Sequence, residues 1–75
     1  MNSDYSYGPS ANSYRNRIIK LEEVKSITGL SRSSIYRKIN ENKFPKSVRL
    51  SGNSVGWVEQ EVQQWVIDRI AERGI

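Results

Sequence analysis

The sequence predicts a mainly α-helical domain with three helices and one small β-hairpin. Three observations predict it: apolar residues at helical spacing on both sides of Gly29, alternating apolar residues around the segment SGNS (51–54), and a long amphipathic segment that begins near Glu59. The chain has 75 residues, so we expect one small domain, and it has no cysteine, so no disulfide contributes to its stability.

A first helix is predicted from about Leu21 to Thr28. Its apolar residues recur at helical spacing and give it one buried stripe, formed by Leu21, Val24 and Ile27. Lys20 occupies the predicted N-cap position, where lysine is a poor choice. Ahead of it, Ile18 and Ile19 form a short apolar segment that suits one strand of a small sheet.

A tight turn follows at Gly29, where glycine provides a positive φ without steric cost. Ser31 is a good N-cap for a second helix, which is predicted to run to about Glu41. Ile35 and Ile39 define the buried direction of this helix. The residues that point nearly the opposite way are Ser33, Arg37 and Asn40.

Beyond Pro45 the apolar residues change to a period of two. Val48 and Leu50 precede a Gly-Asn turn and Val55 and Trp57 follow it, which predicts two short strands. After two helices joined by a tight turn, a hairpin at residues 46–57 is a candidate wing.

The last helix is predicted from about Glu59 to Arg73. Its apolar stripe consists of Val58, Val62, Trp65, Val66 and Ile70. Because aromatic side chains bury large areas, we expect the tryptophans to contribute much of the core of so small a domain. The predicted core residues are Leu30, Ile35, Ile39, Trp57 and Trp65.

The net charge of +4 is unevenly distributed. Residues 15–58 carry ten basic and three acidic residues, whereas residues 59–75 carry two basic and four acidic ones. The basic part suits a polyanion, although an ordinary solvated surface can have the same composition. The chain has no histidine, the commonest general base, and it is too short to enclose a large cleft, so we expect no enzyme activity, cofactor or metal.

Residues 1–14 are rich in serine and asparagine and almost free of aliphatic side chains, which predicts a disordered tail ahead of a domain at 15–75. No apolar run reaches the ~20 residues that span a bilayer. The start of the chain also lacks the basic region and apolar core of a signal peptide. We therefore expect a cytoplasmic protein with no membrane partner.

The motifs of the chain resemble those of the AlpA-like prophage regulators and excisionases, which are small relatives of the MerR-type winged helix. The resemblance covers about residues 18–73 and depends on TGLSRSSIYR (28–37), on the Phe-Pro pair at 44–45, and on a final pattern of Gly56, Trp57, Glu61, Val62 and Trp65. Lys20 departs from the family pattern, because relatives often have a threonine or serine cap there.

The resemblance implies a winged helix-turn-helix that binds a specific double-stranded DNA sequence in a prophage or genomic island. Members of the family activate excision genes, or act as recombination directionality factors that favour excision by an integrase. The sequence does not separate these two roles. The implied partners are repeats in promoter or attachment-site DNA, a cognate integrase, and further copies of the chain side by side on DNA, in association with the bacterial nucleoid.

A helix-turn-helix lays its second helix in the major groove, which identifies the candidate contacts. Arg37 is the best candidate for base readout, and Ser33 and Ser34 lie in the first helical turn, near the duplex. Ser31 is a cap first and a contact second. The candidate phosphate contacts are Arg32, Tyr36 and Lys38, although Tyr36 is equally suited to packing. The candidate wing contacts are Lys46, Arg49, Ser51, Asn53 and Ser54.

Two other functions remain open at this point. An RNA-binding module is disfavoured because the strands do not carry the exposed aromatic residues that single-strand readers use. A protein-interaction domain would use the acidic face of the last helix as its docking surface. That role is compatible with DNA binding, since an excisionase also contacts an integrase or its own copies.

Overall fold

The computed structural model describes residues 17–74, so the tail predicted at residues 1–14 lies outside the described residues. The elements in chain order are β1 (Ile18–Ile19), α1 (Leu21–Thr28), α2 (Arg32–Asn40), β2 (Val48–Ser51), β3 (Ser54–Val58) and α3 (Glu59–Ala71). This arrangement confirms the predicted fold class of three helices with a β-hairpin. The short segment at β1 is a strand, as its composition indicated.

The three strands form one antiparallel sheet in the order β1-β3-β2. Ile19 pairs with Trp57, and both side chains are buried on the face that the helices cover. Ile18 pairs with Val58 and Val48 with Gly56, so these residues share the opposite face. On that outer face, Ile18 and Val48 remain more than one third exposed.

The core lies between the inner face of the sheet and the three helices. Its buried side chains come from all parts of the fold: Ile19, Val24, Ile35, Phe44, Trp57 and Val62. Of the predicted core residues, Ile35 and Trp57 are buried, and Leu30 and Ile39 are half-buried and packed against the cluster. Trp65 also packs against the cluster but is only half-buried, so it is not a fully enclosed core residue.

The turn between α1 and α2 has the predicted geometry. Gly29 has a φ of 76° and its N–H donates to the carbonyl oxygen of Lys25, which closes the end of α1. Thr28 supports the turn, because its Oγ1 accepts from the N–H of Leu30 at 3.1 Å. Ser31 caps α2, as predicted, and its Oγ accepts from the N–H of Ser34 at 3.1 Å.

The end of α2 is a Schellman motif centred on Asn42. Asn42 has a φ of 60°, and its N–H donates to the carbonyl oxygen of Ile39. The next N–H, of Lys43, donates to the carbonyl oxygen of Lys38 at 2.8 Å. Asparagine tolerates this left-handed conformation better than most residues. The motif reverses the chain and directs Phe44 into the core.

Two predictions for the last helix were wrong in detail. The helix ends at Ala71, two positions before the predicted Arg73. Ile70, which was predicted in its apolar stripe, is 51% exposed. The physical reason is length, because α3 packs on α1, and eight helical residues cover ~12 Å whereas thirteen cover ~20 Å. The last turns of α3 therefore extend beyond the helix that they pack against.

Candidate nucleic-acid interface

The outward face of α2 has the composition that the sequence predicted. Ile35 is fully buried on one side of the helix, and Ser33, Arg37 and Asn40 are exposed on the other. Arg37 follows Ser33 by one helical turn, so the two side chains are neighbours on the surface. The structure thus places a small hydroxyl and a guanidinium together on the exposed face of the second helix.

The basic residues differ in whether an acidic side chain neutralises them. Lys25 forms an ion pair with Glu22, and Lys43 lies 3.9 Å from Glu41. Within residues 17–74, no acidic group lies within salt-bridge distance of a second set, which contains Arg32, Arg37, Lys38, Lys46 and Arg49. These five are the basic residues that the sequence predicted as DNA contacts, and in the described part of the chain their charges are available for an anionic partner.

The hydroxyl groups at the start of α2 hydrogen-bond to each other. Ser31 Oγ donates to Ser34 Oγ at 3.1 Å and also accepts from the N–H of Ser34. Ser34 is half-buried, whereas Ser33 between them is exposed. Ser31 therefore acts mainly as a cap, and Ser33 presents the more accessible hydroxyl in the first turn.

Tyr36 is a packing residue with one accessible face. Its ring meets that of the buried Trp57 edge to face, with 6.2 Å between ring centroids. The guanidinium carbon of Arg32 lies 5.4 Å from the centroid of the Tyr36 ring, within cation–π distance. The packing role expected as an alternative for Tyr36 is thus present, and Tyr36 in turn supports Arg32 on the surface.

Both indole N–H groups hold the segment that joins α2 to the wing. Trp57 Nε1 donates to the carbonyl oxygen of Pro45 at 3.1 Å, and Trp65 Nε1 donates to that of Lys43 at 2.8 Å. Phe44, between them, meets Trp65 edge to face at 5.0 Å. From the sequence, both tryptophans were assigned only to the hydrophobic core. No local sequence pattern shows which distant carbonyl oxygen an indole N–H group will reach.

The wing projects from this anchored segment. All four residues of β2 are exposed, and the turn contains Gly52 with a φ of 39°. The pairing of Arg49 with Val55 and of Ser51 with Ser54 contains an irregularity between positions 49 and 51. Ser54 is half-buried, and its Oγ accepts from Lys20 Nζ at 2.7 Å. The other candidate wing contacts are exposed: Lys46, Arg49, Ser51 and Asn53.

Comparison with known proteins places the chain in a family. Residues 17–70 match the sequence profile described as "Prophage CP4-57 regulatory protein (AlpA)". The chain belongs to this AlpA family. That matched range contains the whole helix-turn-helix, the wing and most of α3, and it confirms the resemblance derived from the motifs.

Two relatives of this AlpA family member are informative. The uncharacterized protein ORF88 of Enterobacteria phage P4 is 44% identical over 57 residues, which are 76% of this chain and 65% of that protein. The chain thus spans slightly less than two thirds of the phage protein. The DNA-binding transcriptional activator AlpA of Escherichia coli K12 is 37% identical over 59 residues, which are 71% of this chain and 84% of that protein. No solved structure matches the chain significantly.

In this AlpA family member an ion-pair cluster holds the start of the described chain. Arg17 donates to both carboxylate oxygens of Glu59, at 2.9 and 2.7 Å, and to Glu23 at 3.3 Å. The hydrogen bond from Arg17 lowers the pKa of the Glu59 carboxyl below its ordinary value. Sequence reasoning missed this cluster because 42 positions separate Arg17 from Glu59.

The described residues contain neither a cluster of metal-ligating side chains nor a membrane-spanning helix. Among residues 17–74, no group of three or more acidic, histidine or cysteine side chains is arranged to hold a metal ion. Over the same range, no helix is long and apolar enough to cross a membrane.

Proposed function

We propose that this chain is a non-catalytic, sequence-specific double-stranded DNA-binding regulator of a prophage or genomic island. The observation that carries the proposal is the exposed face of α2, where Arg37 stands beside Ser33 with no acidic partner in the described part of the chain. The family membership and the 37% identity to a DNA-binding transcriptional activator support it. Such a regulator acts in the bacterial cytoplasm, on the nucleoid.

In the proposed complex α2 enters the major groove with its exposed face, which carries Ser33 and Arg37. Arg37 reads a guanine through its O6 and N7 atoms, a pairing worth ~1–3 kcal/mol of discrimination. Ser33 contacts the duplex beside it, with Ser34 and Ser31 behind it at the helix start. The phosphate contacts are Arg32, Tyr36 and Lys38, and the stacking of Arg32 on Tyr36 gives that guanidinium a defined position.

The wing contacts the neighbouring backbone or minor groove. Lys46 and Arg49 supply the charge for it, and both are exposed. The polar residues around the turn, Ser51, Asn53 and Ser54, suit hydrogen bonds to phosphate and sugar oxygens. Because α2 and the wing are joined by the segment that the tryptophans anchor, the two contacts have a fixed spacing.

A comparison of two substitutions tests the proposal. Arg37→Ala should weaken binding to the specific site much more than binding to random DNA, because it removes a base contact. Lys46→Ala should weaken both alike and flatten the salt dependence by roughly one unit, because it removes a phosphate contact. Lys43→Ala is the matched control, since Lys43 is exposed and already lies beside Glu41.

Mobility-shift titrations at several salt concentrations measure these effects. The target DNA is chosen from the promoter and attachment-site sequences near the gene. If Arg37→Ala reduces specific and random binding equally, as Lys46→Ala is expected to do, α2 is not the reading helix. If the unmodified chain shows no preference for any of these sites over random DNA, the proposed function is wrong.

We further propose that the regulator acts in excision, either as a recombination directionality factor or as an activator of excision genes. An excision assay with purified integrase, with and without this chain, separates the two roles, because an activator has no effect without transcription. One small domain reads only a short site, so copies should bind side by side on repeated sites. A titration that yields one complex with a single short footprint would contradict this arrangement.

A further inference from the structure

Lys20 starts α1 with its backbone but does not cap the helix with its side chain. Its backbone is extended, with φ −94° and ψ 171°, and its carbonyl oxygen accepts from the N–H groups of Glu23 and Val24, both at 3.0 Å. No side-chain hydrogen bond caps this helix. The side chain is therefore free for a contact elsewhere in the fold.

That contact is with the wing. Lys20 Nζ lies 2.7 Å from Ser54 Oγ and 3.4 Å from the carbonyl oxygen of Val55. Ser54 is the first residue of β3 after the wing turn. The bond thus joins the start of the helix-turn-helix to the strand that leads out of the tip of the wing.

The bond lies where the sheet gives β3 no support from β1. Among residues 17–74, β1 pairs with β3 only through Ile18–Val58 and Ile19–Trp57, after which the chain turns into α1. The part of β3 nearer the wing turn is therefore paired only with β2, whose residues are all exposed. The ammonium group of Lys20 contacts β3 on this stretch, which otherwise is held by its pairing with β2 and by the packing of Val55 on the core.

We propose that Lys20 is a positioning residue that fixes the orientation of the wing relative to the reading helix. The proposal rests on the proposed DNA-binding function and identifies one residue that positions part of the DNA-binding surface. Lys20 acts on DNA binding through Ser54 and the wing strand, not through a phosphate. Over residues 17–74 its ammonium lies within salt-bridge distance of no acidic group, so its partners are a hydroxyl and a carbonyl oxygen.

Lys20→Met tests the proposal, because methionine retains an unbranched apolar stem and lacks the ammonium. We expect roughly two- to tenfold weaker binding to specific DNA, at most the scale of one net hydrogen bond, with an unchanged salt slope. The thermal midpoint should fall by several degrees, because the same bond is present in the unbound domain. Hydroxyl-radical footprints should lose protection at the wing contact and keep it at the α2 contact. Lys25→Met is the matched control, since Lys25 lies on the same helix and pairs with Glu22.

A double-mutant cycle with Ser54→Ala shows whether the two residues act together. If the two residues act together, the double variant binds DNA no more weakly than whichever single variant has the lower affinity. Additive losses, together with a salt slope reduced by about one, would make Lys20 a phosphate contact and overturn the proposal. A Lys20→Met variant that binds like Lys25→Met would also overturn it. Failure of the underlying function is distinguishable, because the unmodified chain would then show no sequence preference.

Discussion

Gly56 is the position in the sheet where the fold tolerates a side chain least. A Cβ atom built there would lie 2.4 Å from Ile18 Cγ2, 3.1 Å from the carbonyl oxygen of Ile19 and 3.3 Å from Leu50 Cδ1. Gly56 sits on the central strand, between the residues of both edge strands. Its missing side chain therefore allows Ile18 and Leu50 to approach each other across β3.

Gly56→Ala should destabilise the domain by about 0.5–1.5 kcal/mol. Overpacking typically costs ~1–3 kcal/mol, and the reduced freedom of the unfolded chain returns ~0.4–1 kcal/mol. The main obstacle, Ile18, is 38% exposed and can partly move aside, which places the estimate in the lower part of that range. In a domain of this size each kcal/mol shifts the thermal midpoint by ~4–8 °C.

Thermal and urea unfolding, followed by tryptophan fluorescence, measure the loss. In an Ile18→Ala background the closest contact is gone, so Gly56→Ala should become neutral or slightly stabilising. Gly29→Ala is the matched control, because its cost comes from a φ of 76° with no atom within 4 Å, and Ile18→Ala should not change it. An unchanged cost of Gly56→Ala in the Ile18→Ala background would refute the reasoning. It would mean that the Cβ is opposed by the carbonyl oxygen of Ile19 and not by the Ile18 side chain.

Two further substitutions test local features of the fold. Ser31→Ala should cost about 1 kcal/mol in urea unfolding, because the cap bond to the N–H of Ser34 is lost. Ser31→Gly loses the same bond but should cost only a few tenths, since glycine is itself a favourable N-cap residue; a Ser31→Ala variant as stable as the unmodified chain would contradict the cap assignment. Arg17→Met should remove a stabilisation that is complete above the ordinary Glu59 pKa of 4.5 and is lost as the pH falls through the lower pKa that Arg17 gives this carboxyl in the folded state. The thermal midpoints of Arg17→Met and the unmodified chain should therefore converge only well below pH 4.5, and a constant difference between them from neutral to strongly acidic pH would contradict the assignment.

The local parts of the fold could be predicted from the sequence because their signals are local. Gly29 and Ser31 mark the turn between the first two helices, and both have the geometry that their residue types favour. The Gly-Asn turn and the alternation around it located the hairpin to within a residue or two. The exposed face of α2 follows from the helical period once Ile35 is placed in the core.

The interactions that orient these elements could not be predicted in the same way. Arg17 reaches Glu59 and Lys20 reaches Ser54 across more than thirty positions, and the period of the sequence contains no information about such pairs. From the sequence, Lys20 was an unfavourable residue for the N-cap of α1, and its contact with the wing could not be predicted from its neighbours in the chain. The Ile70 prediction failed for a related reason, since the period of α3 indicates an apolar stripe but not how far its neighbour extends.

These long-range bonds explain how a small core can hold two surface elements in a fixed relation. Trp57 and Trp65 bury or pack their rings and still use their N–H groups to hold the segment between α2 and the wing. Lys20 holds the wing again near its tip. A movement of the wing relative to α2 therefore strains the indole hydrogen bonds at the base of the wing and the Lys20 bond near its tip. A surface fixed in this way loses less conformational freedom on binding, so more of its contact energy contributes to affinity.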